Sequence, residues 1–189
     1  KGVNLNATNQ YNNNALILAA SQNLAGSVSF LIKHDINVNH INNLGNSAIF
    51  YAVAQEDILS TAALLRHPQI RLDLSNKKKQ TIFSIAPNNT EILSMLVDFV
   101  IKHKHQETYD KLYHSQEMLF AMVGANKPEL IEEVGCNLPS PIRNKQGEGP
   151  LHLAAYLNRP ECIHKLVHAG FAVNETNKAK QTPLIVARI

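Results

Sequence analysis

The chain has 189 residues, 44 % hydrophobic and 17 % charged, enough apolar material to bury a sizeable core and too much for a disordered linker. Its 18 Lys and Arg exceed its 15 Asp and Glu by only +3, which argues against a nucleic-acid binder unless the cations cluster. No stretch approaches the roughly 18 uncharged apolar residues of a membrane span, and the opening KGVNLNATNQ lacks the apolar run of a signal peptide, so a soluble protein without a membrane partner is expected.

Taken in chain order, one short helix opening recurs: NNALILAA from Asn13, NSAIFYAV from Asn46, QTIFSIAP from Gln80, QEMLFAMV from Gln116, GPLHLAA from Gly149 and QTPLIVAR from Gln181. The apolar residue before each small pair is Leu18, Tyr51, Ile85, Phe120, Leu153 and Val186, at spacings of 33, 34, 35, 33 and 33. A period in this range signals a solenoid, in which each unit buries its apolar face only against its neighbours. A second mark fixes the phase. Each apolar helical run closes in a turn such as GVNLN from Gly2, DINVN from Asp35, IRLD from Ile70 or GFAVN from Gly170. Three residues beyond these endings stand Asn9, Asn42, Asn76 and Asn177, and Asn144 follows slightly later after the degenerate GCNLP.

The residue types suit these places. Pro150 and Pro183 fit the first turn of a helix, where an N–H has no partner, and Thr182 is expected to cap. The small pairs Ala19/Ala20, Ala52/Val53 and Ala154/Ala155 allow close helix approach. Leu16 with Leu18, Phe83 with Ile85, and Leu151 with Leu153 are expected to supply the core between units. The turn between units demands a left-handed residue, a conformation that Gly45 and Gly147 adopt freely, Asn12 tolerates, and Lys79 and Lys180 adopt at a cost.

Glu91 to Met118 breaks the pattern, with no Gly, Pro or Asn, and with Ile92, Leu93, Leu96, Phe99, Val100 and Ile101 at helical spacing. A helix running to about His103 is predicted, with the following hairpin lost or replaced by helix. His103 with His105, and His164 with His168, invite a metal reading, but neither pair has a third ligand nearby, so no metal and no cofactor are expected. Cys136 and Cys162 form no ligand set; two reduced thiols are the simpler reading and a disulfide the lesser alternative, with Cys162 in the core.

Period and phase together resemble the ankyrin repeat family, whose opening T-P-L-H-x-A is matched best by GPLHLAA and KQTPLIVA. The resemblance covers the full chain and implies an all-α fold, an ankyrin-repeat α-solenoid of stacked helix-turn-helix units with hairpin loops. Approximate units are 9–41, 42–75, 76–110, 111–143, 144–176 and an incomplete 177–189, in one domain that reads as a slice of something longer. The family implies a structural, locally bonded His152 rather than a catalytic one, and no enzyme activity in this chain.

It also implies a scaffold that binds another protein through hairpin tips and the first-helix face. Carried onto this chain, the partner-binding candidates are Tyr11, Leu44, Lys77, Lys78, Arg143, Lys145, Tyr156, Leu157 and Lys178, with Gln22, Gln55, Asn88 and Asn89 among the helix positions. The cations collect at these tips, which points to an acidic protein segment as partner and leaves nucleic acid disfavoured for want of interleaved aromatics. A monomer is expected. The alternative is a substrate-targeting module of a larger enzyme or bacterial effector, acting in the cytoplasm or, for an effector, in host cytosol.

Overall fold

The computed structural model describes residues 4–86, 89–139 and 141–187. Among these, all regular structure is helical, save one isolated antiparallel bridge between Ser75 and Thr81. The chain divides into two compact units, Lys1–Met95 and Leu96–Ile189.

In the first unit, α1 (Ala15–Ser21) packs beside α2 (Ala25–Leu31) and α3 (Ala48–Ala54), α3 packs beside α4 (Ile58–Leu65) and α5 (Ile82–Ile85), and α2 lies against α4. The result is two layers, with first helices α1, α3 and α5 in one and second helices α2 and α4 in the other. The boundary between units falls inside α6 (Thr90–His103). The second unit repeats the layering. First helices α8 (Gln116–Gly124), α10 (Pro150–Tyr156) and α12 (Pro183–Val186) stand beside a second layer of α9 (Ile131–Gly135), entered through a 3-10 turn at Pro128–Leu130, and α11 (Pro160–His168). An additional helix, α7 (Glu107–Tyr113), packs on α8.

Most of these helices have seven to nine residues, too few to be stable alone, so burial of one face must hold them. In α1 the buried residues are Leu16, Ile17, Ala19 and Ala20, a spacing of i, i+1, i+3 and i+4 that defines one helical face. The same face reads Ile49, Phe50, Ala52 and Val53 in α3, and Leu151, His152, Ala154 and Ala155 in α10. Leu18, on the opposite side of α1, is 37 % exposed, and Tyr51, Ile85, Phe120 and Leu153 are only half-buried. The expectation that Leu18, Ile85 and Leu153 belong to the core is therefore corrected. The apolar residue that marks the period points away from the face that the small pair shares.

Every hairpin finger is built on its asparagine. The Oδ1 of Asn9 accepts the N–H groups of Tyr11 and Asn13, that of Asn42 those of Leu44 and Asn46, and that of Asn76 those of Lys78 and Gln80. Asn144 and Asn177 repeat the pair with Gln146 and Glu148, and with Ala179 and Gln181, every distance being 2.9 or 3.0 Å. Backbone bonds close the same loop, the Asn N–H reaching the carbonyl four residues on and its carbonyl accepting from the residue three on. That third residue is left-handed in all five fingers: Asn12 at φ +60°, Gly45 at +80°, Lys79 at +57°, Gly147 at +76° and Lys180 at +59°. A second left-handed series, Asn23, Glu56, Asn126 and Asn158, follows the first helices and was not apparent from the repeat pattern.

Side-chain caps start several helices: Asn14 on the Ile17 N–H, Asp57 on Ser60, Thr81 on Ser84 and Ser115 on Met118. Thr182, expected to cap, is extended at the N-cap of α12 but makes no side-chain cap bond.

The predicted long helix is present as α6, with the basic Lys102 and His103 in its last turn, and it buries Ile92, Leu93, Leu96, Val97 and Val100. The hairpin that should follow is replaced by α7. Tyr113, fully buried at the end of α7, donates its hydroxyl to Glu133 Oε2 at 2.9 Å, and Lys104 lies over its ring at 4.6 Å from the centroid. That hydroxyl holds the Glu133 carboxyl below its ordinary range.

Replacing Lys79 by Gly removes a Cβ from a left-handed corner at no loss of packing, since the lysine is exposed. Stability should rise by roughly 1 kcal/mol, read as a higher melting temperature. A fall would contradict the finger geometry.

Candidate interaction surface

The fingers bring the sequence-predicted tip residues to the surface in rows. In the first unit, Tyr11 is 60 % exposed and Leu44 58 %, with Lys77 and Lys78 exposed beside them. Successive tips are tied by backbone bonds: Asn43 N–H to Tyr11 carbonyl and Lys77 N–H to Leu44 carbonyl, both 3.0 Å. Among the described residues, the ammonium groups of Lys77, Lys78 and Lys79 meet no carboxylate. Arg71 differs. It grips Asp73 with two bonds, of 3.0 and 2.6 Å, and that hydrogen-bonded guanidinium draws the Asp73 carboxyl below its usual value.

In the second unit, Lys145 and Lys178 are exposed, and Lys178 Nζ donates to the Lys145 carbonyl at 2.9 Å. Arg143 departs from the expectation of a free tip cation. Its Nη1 donates to the carbonyls of Gly147 and Thr176 at 2.8 and 3.0 Å, and its Nη2 stands 3.3 Å from Glu175 Oε2, so the guanidinium fastens one finger to the next repeat. Tyr156, at the end of α10, is 61 % exposed, while Leu157 behind it is half-buried.

Of the helix positions, Gln22 and Gln55 are exposed, and Gln55 reaches the Ser21 carbonyl at 2.8 Å. Asn89 serves the fold by accepting the N–H of Ile92 and donating to Glu56. Asn88 lies outside the described residues. Two exposed apolar residues of second helices, Phe30 at 61 % and Leu59 at 71 %, were not legible from the repeat pattern.

The residues that invite a chemical reading are placed as follows. His152 has no exposed surface; Gly149 N–H donates to its Nδ1 at 3.2 Å, which puts the proton on Nε2, and Nε2 donates to the Gln181 carbonyl at 2.9 Å. The imidazole thus joins its own helix start to the next finger. Both its nitrogens are committed, and Glu175 stands 3.7 Å from Nδ1. His103 Nδ1 bonds the Phe99 carbonyl, and its ring stacks on Phe99. His164 and His168 lie ring to ring at 4.5 Å, and among the described residues no group of three His, Cys, Asp or Glu converges as a metal site would require. Both cysteines are free thiols, Cys136 exposed and Cys162 buried with Sγ 3.6 Å from Asn126 Oδ1.

Burial pushes the Cys162 thiol up to about 11, against a smaller opposing pull from Arg159. Because the native value lies above the unfolded one, the protonated thiol favours the fold below the unfolded value, and that contribution is lost as pH rises through about 11. Native protein should therefore release one equivalent of colour rapidly with an aromatic disulfide reagent at pH 8, from Cys136, and the second only in denaturant. Two fast equivalents would contradict the placement of Cys162. His152→Leu keeps most of the volume but orphans the Gly149 N–H and the Gln181 carbonyl, and should cost about 3 kcal/mol in denaturant unfolding. A loss below about 1 kcal/mol would mean that the bridge contributes little.

Comparison with known families and folds agrees with this geometry. A model of ankyrin repeats in three copies matches residues 1–76, and a single ankyrin repeat model matches residues 146–178. The human ASB11 ankyrin repeat domain is similar in structure, with a TM-score of 0.50 and 18 % sequence identity, over 98 % of this chain and 82 % of that one. The ankyrin repeat domain of Bcl-3, described as a unique member of the IkappaB protein family, aligns over the same shares with a TM-score of 0.49 and 20 % identity. Among curated proteins, none matches the chain. With both family matches falling on the helix pairs and asparagine fingers described above, the chain belongs to the ankyrin repeat family and has its all-α fold.

Proposed function

We propose that this chain is a scaffold that binds a partner protein through its fingertips and the exposed ends of its first helices, and that the segment it grips is acidic. Ankyrin repeats are generally protein–protein interaction modules, and the fold is typically non-catalytic. The observation that carries the acidic preference is the set of exposed ammonium groups of Lys77, Lys78 and Lys79, which meet no carboxylate among the described residues. A charge with no carboxylate beside it sits on a rigid finger and keeps its field for an incoming ligand. Tyr11 and Leu44 supply exposed apolar area on the neighbouring tips of the same unit, Tyr156 is an exposed aromatic of the second unit, and interface energy tends to concentrate in a few such anchors. Arg143 supports the surface from behind by holding its finger in place. Among the described residues, no helix is long and apolar enough to cross a membrane.

The test is kinetic. Reversing Lys77, Lys78 and Lys145 to Glu together should slow association with the cognate partner about tenfold and flatten the salt dependence of the rate. Rates that are unaltered by the substitutions at every ionic strength would defeat the reading.

A further inference from the structure

Resting on that reading, we infer that the fingertips of the first unit recognise one kind of ligand, an extended peptide in which two apolar residues precede or follow a run of carboxylates. The position two residues beyond each finger asparagine is an exposed tip position in every finger. In three consecutive fingers it is Tyr11, Leu44 and Lys78, so the row changes along its length from apolar to cationic. Lys77 and Lys79 flank Lys78 and concentrate at one end three positive charges that meet no carboxylate among the described residues.

The order of these tips is imposed by the backbone. Asn43 N–H binds the Tyr11 carbonyl at 3.0 Å, Asn43 Nδ2 binds the Gln10 carbonyl at 3.2 Å, and Lys77 N–H binds the Leu44 carbonyl at 3.0 Å. Each tip is also locked internally by the paired bonds to its asparagine. Tyr11, Leu44 and Lys78 are therefore presented in sequence on a preorganised frame, which lowers the ordering cost of capturing a flexible chain. Packed helices repeat at about 8–10 Å, while an extended peptide advances about 3.3 Å per residue. One tip thus corresponds to about three peptide residues.

A ligand with two apolar side chains about three residues apart, and its carboxylates about three residues beyond the second, meets all three tips at once. The second unit offers no equivalent. Its matching positions are Gln146 and Ala179, neither of them apolar and large nor cationic, and of its tip cations Lys178 already donates to the Lys145 carbonyl.

The experiment uses the whole chain and two fluorescein-labelled synthetic peptides of identical composition. One carries two leucines three residues apart, followed after a short gap by four glutamates; the other interleaves the glutamates with the leucines. Anisotropy titration should show the blocked peptide binding at least about tenfold more tightly. Tyr11→Ala or Leu44→Ala should abolish that preference, Lys77→Glu with Lys78→Glu should abolish binding, and Lys33→Glu, at an exposed cation just past α2 rather than on a tip, should change neither. All five positions are exposed, and unchanged melting curves would confirm intact folding of the variants.

Equal affinities for the two peptides, with both lost on lysine reversal, would overturn the ordered readout and leave the acidic-partner proposal standing. Indifference of both peptides to lysine reversal would overturn both. Displacement of the blocked peptide by a short oligothymidylate at lower concentration than by unlabelled peptide would reassign the row to nucleic acid.

Discussion

A helix of seven residues cannot hold itself together in water, and this constraint organises the whole chain. Forming the first turn costs more backbone entropy than one or two intrahelical bonds return, so each helix persists only because one face is buried by a neighbour. The face is made by four residues, two large and two small, as in Leu16, Ile17, Ala19 and Ala20. The large pair supplies most of the buried apolar area, and the small pair allows neighbouring helices to come close. Each buried Leu or Ile contributes on the order of 2 kcal/mol, and no single helix pair accumulates enough of them alone. Stability is thus a property of neighbours, which explains why the pattern had to recur.

The fingers solve a different problem. A tight hairpin between helices leaves backbone N–H groups without helical partners, and the finger asparagine takes two of them on one carbonyl oxygen. Because this bonding is local and complete, the exposed side chain two residues beyond the asparagine has no structural duty. It can be Tyr, Leu, Lys, Gln or Ala without disturbing the turn, as it is in the five fingers here. Freedom to vary at a rigid position is what a recognition surface requires. The left-handed corner beside it is less free, and the two lysines found there place charge at the surface at some cost in backbone strain.

The stretch between the two family matches is where the chain departs from its own rule. α5 has only four residues, α6 extends to fourteen, and α7 stands where a finger would be expected. Helix here replaces a hairpin whose asparagine the sequence lacks, and buried Tyr113 takes over the anchoring role through Glu133. The family models match on either side of this stretch, over residues 1–76 and 146–178.

What the sequence determined by itself was most of what depends on short-range chemistry. The period, the finger asparagines, the left-handed corners at Asn12, Gly45, Lys79, Gly147 and Lys180, the long helix to His103 and the buried thiol of Cys162 were all legible, because each rests on residues within one helix or one turn. Partners about thirty residues away were not. Which side of α1 faces its neighbour, and hence that Leu18 lies outside the core, was decided by packing. So was the fate of the Arg143 guanidinium on Thr176, of His152 on Gln181 and of Lys178 on Lys145. Thr182 could have capped its helix by residue type and does not. A side chain's type says what bonds it can make, but only the stacked backbone says which donor or carbonyl lies within reach.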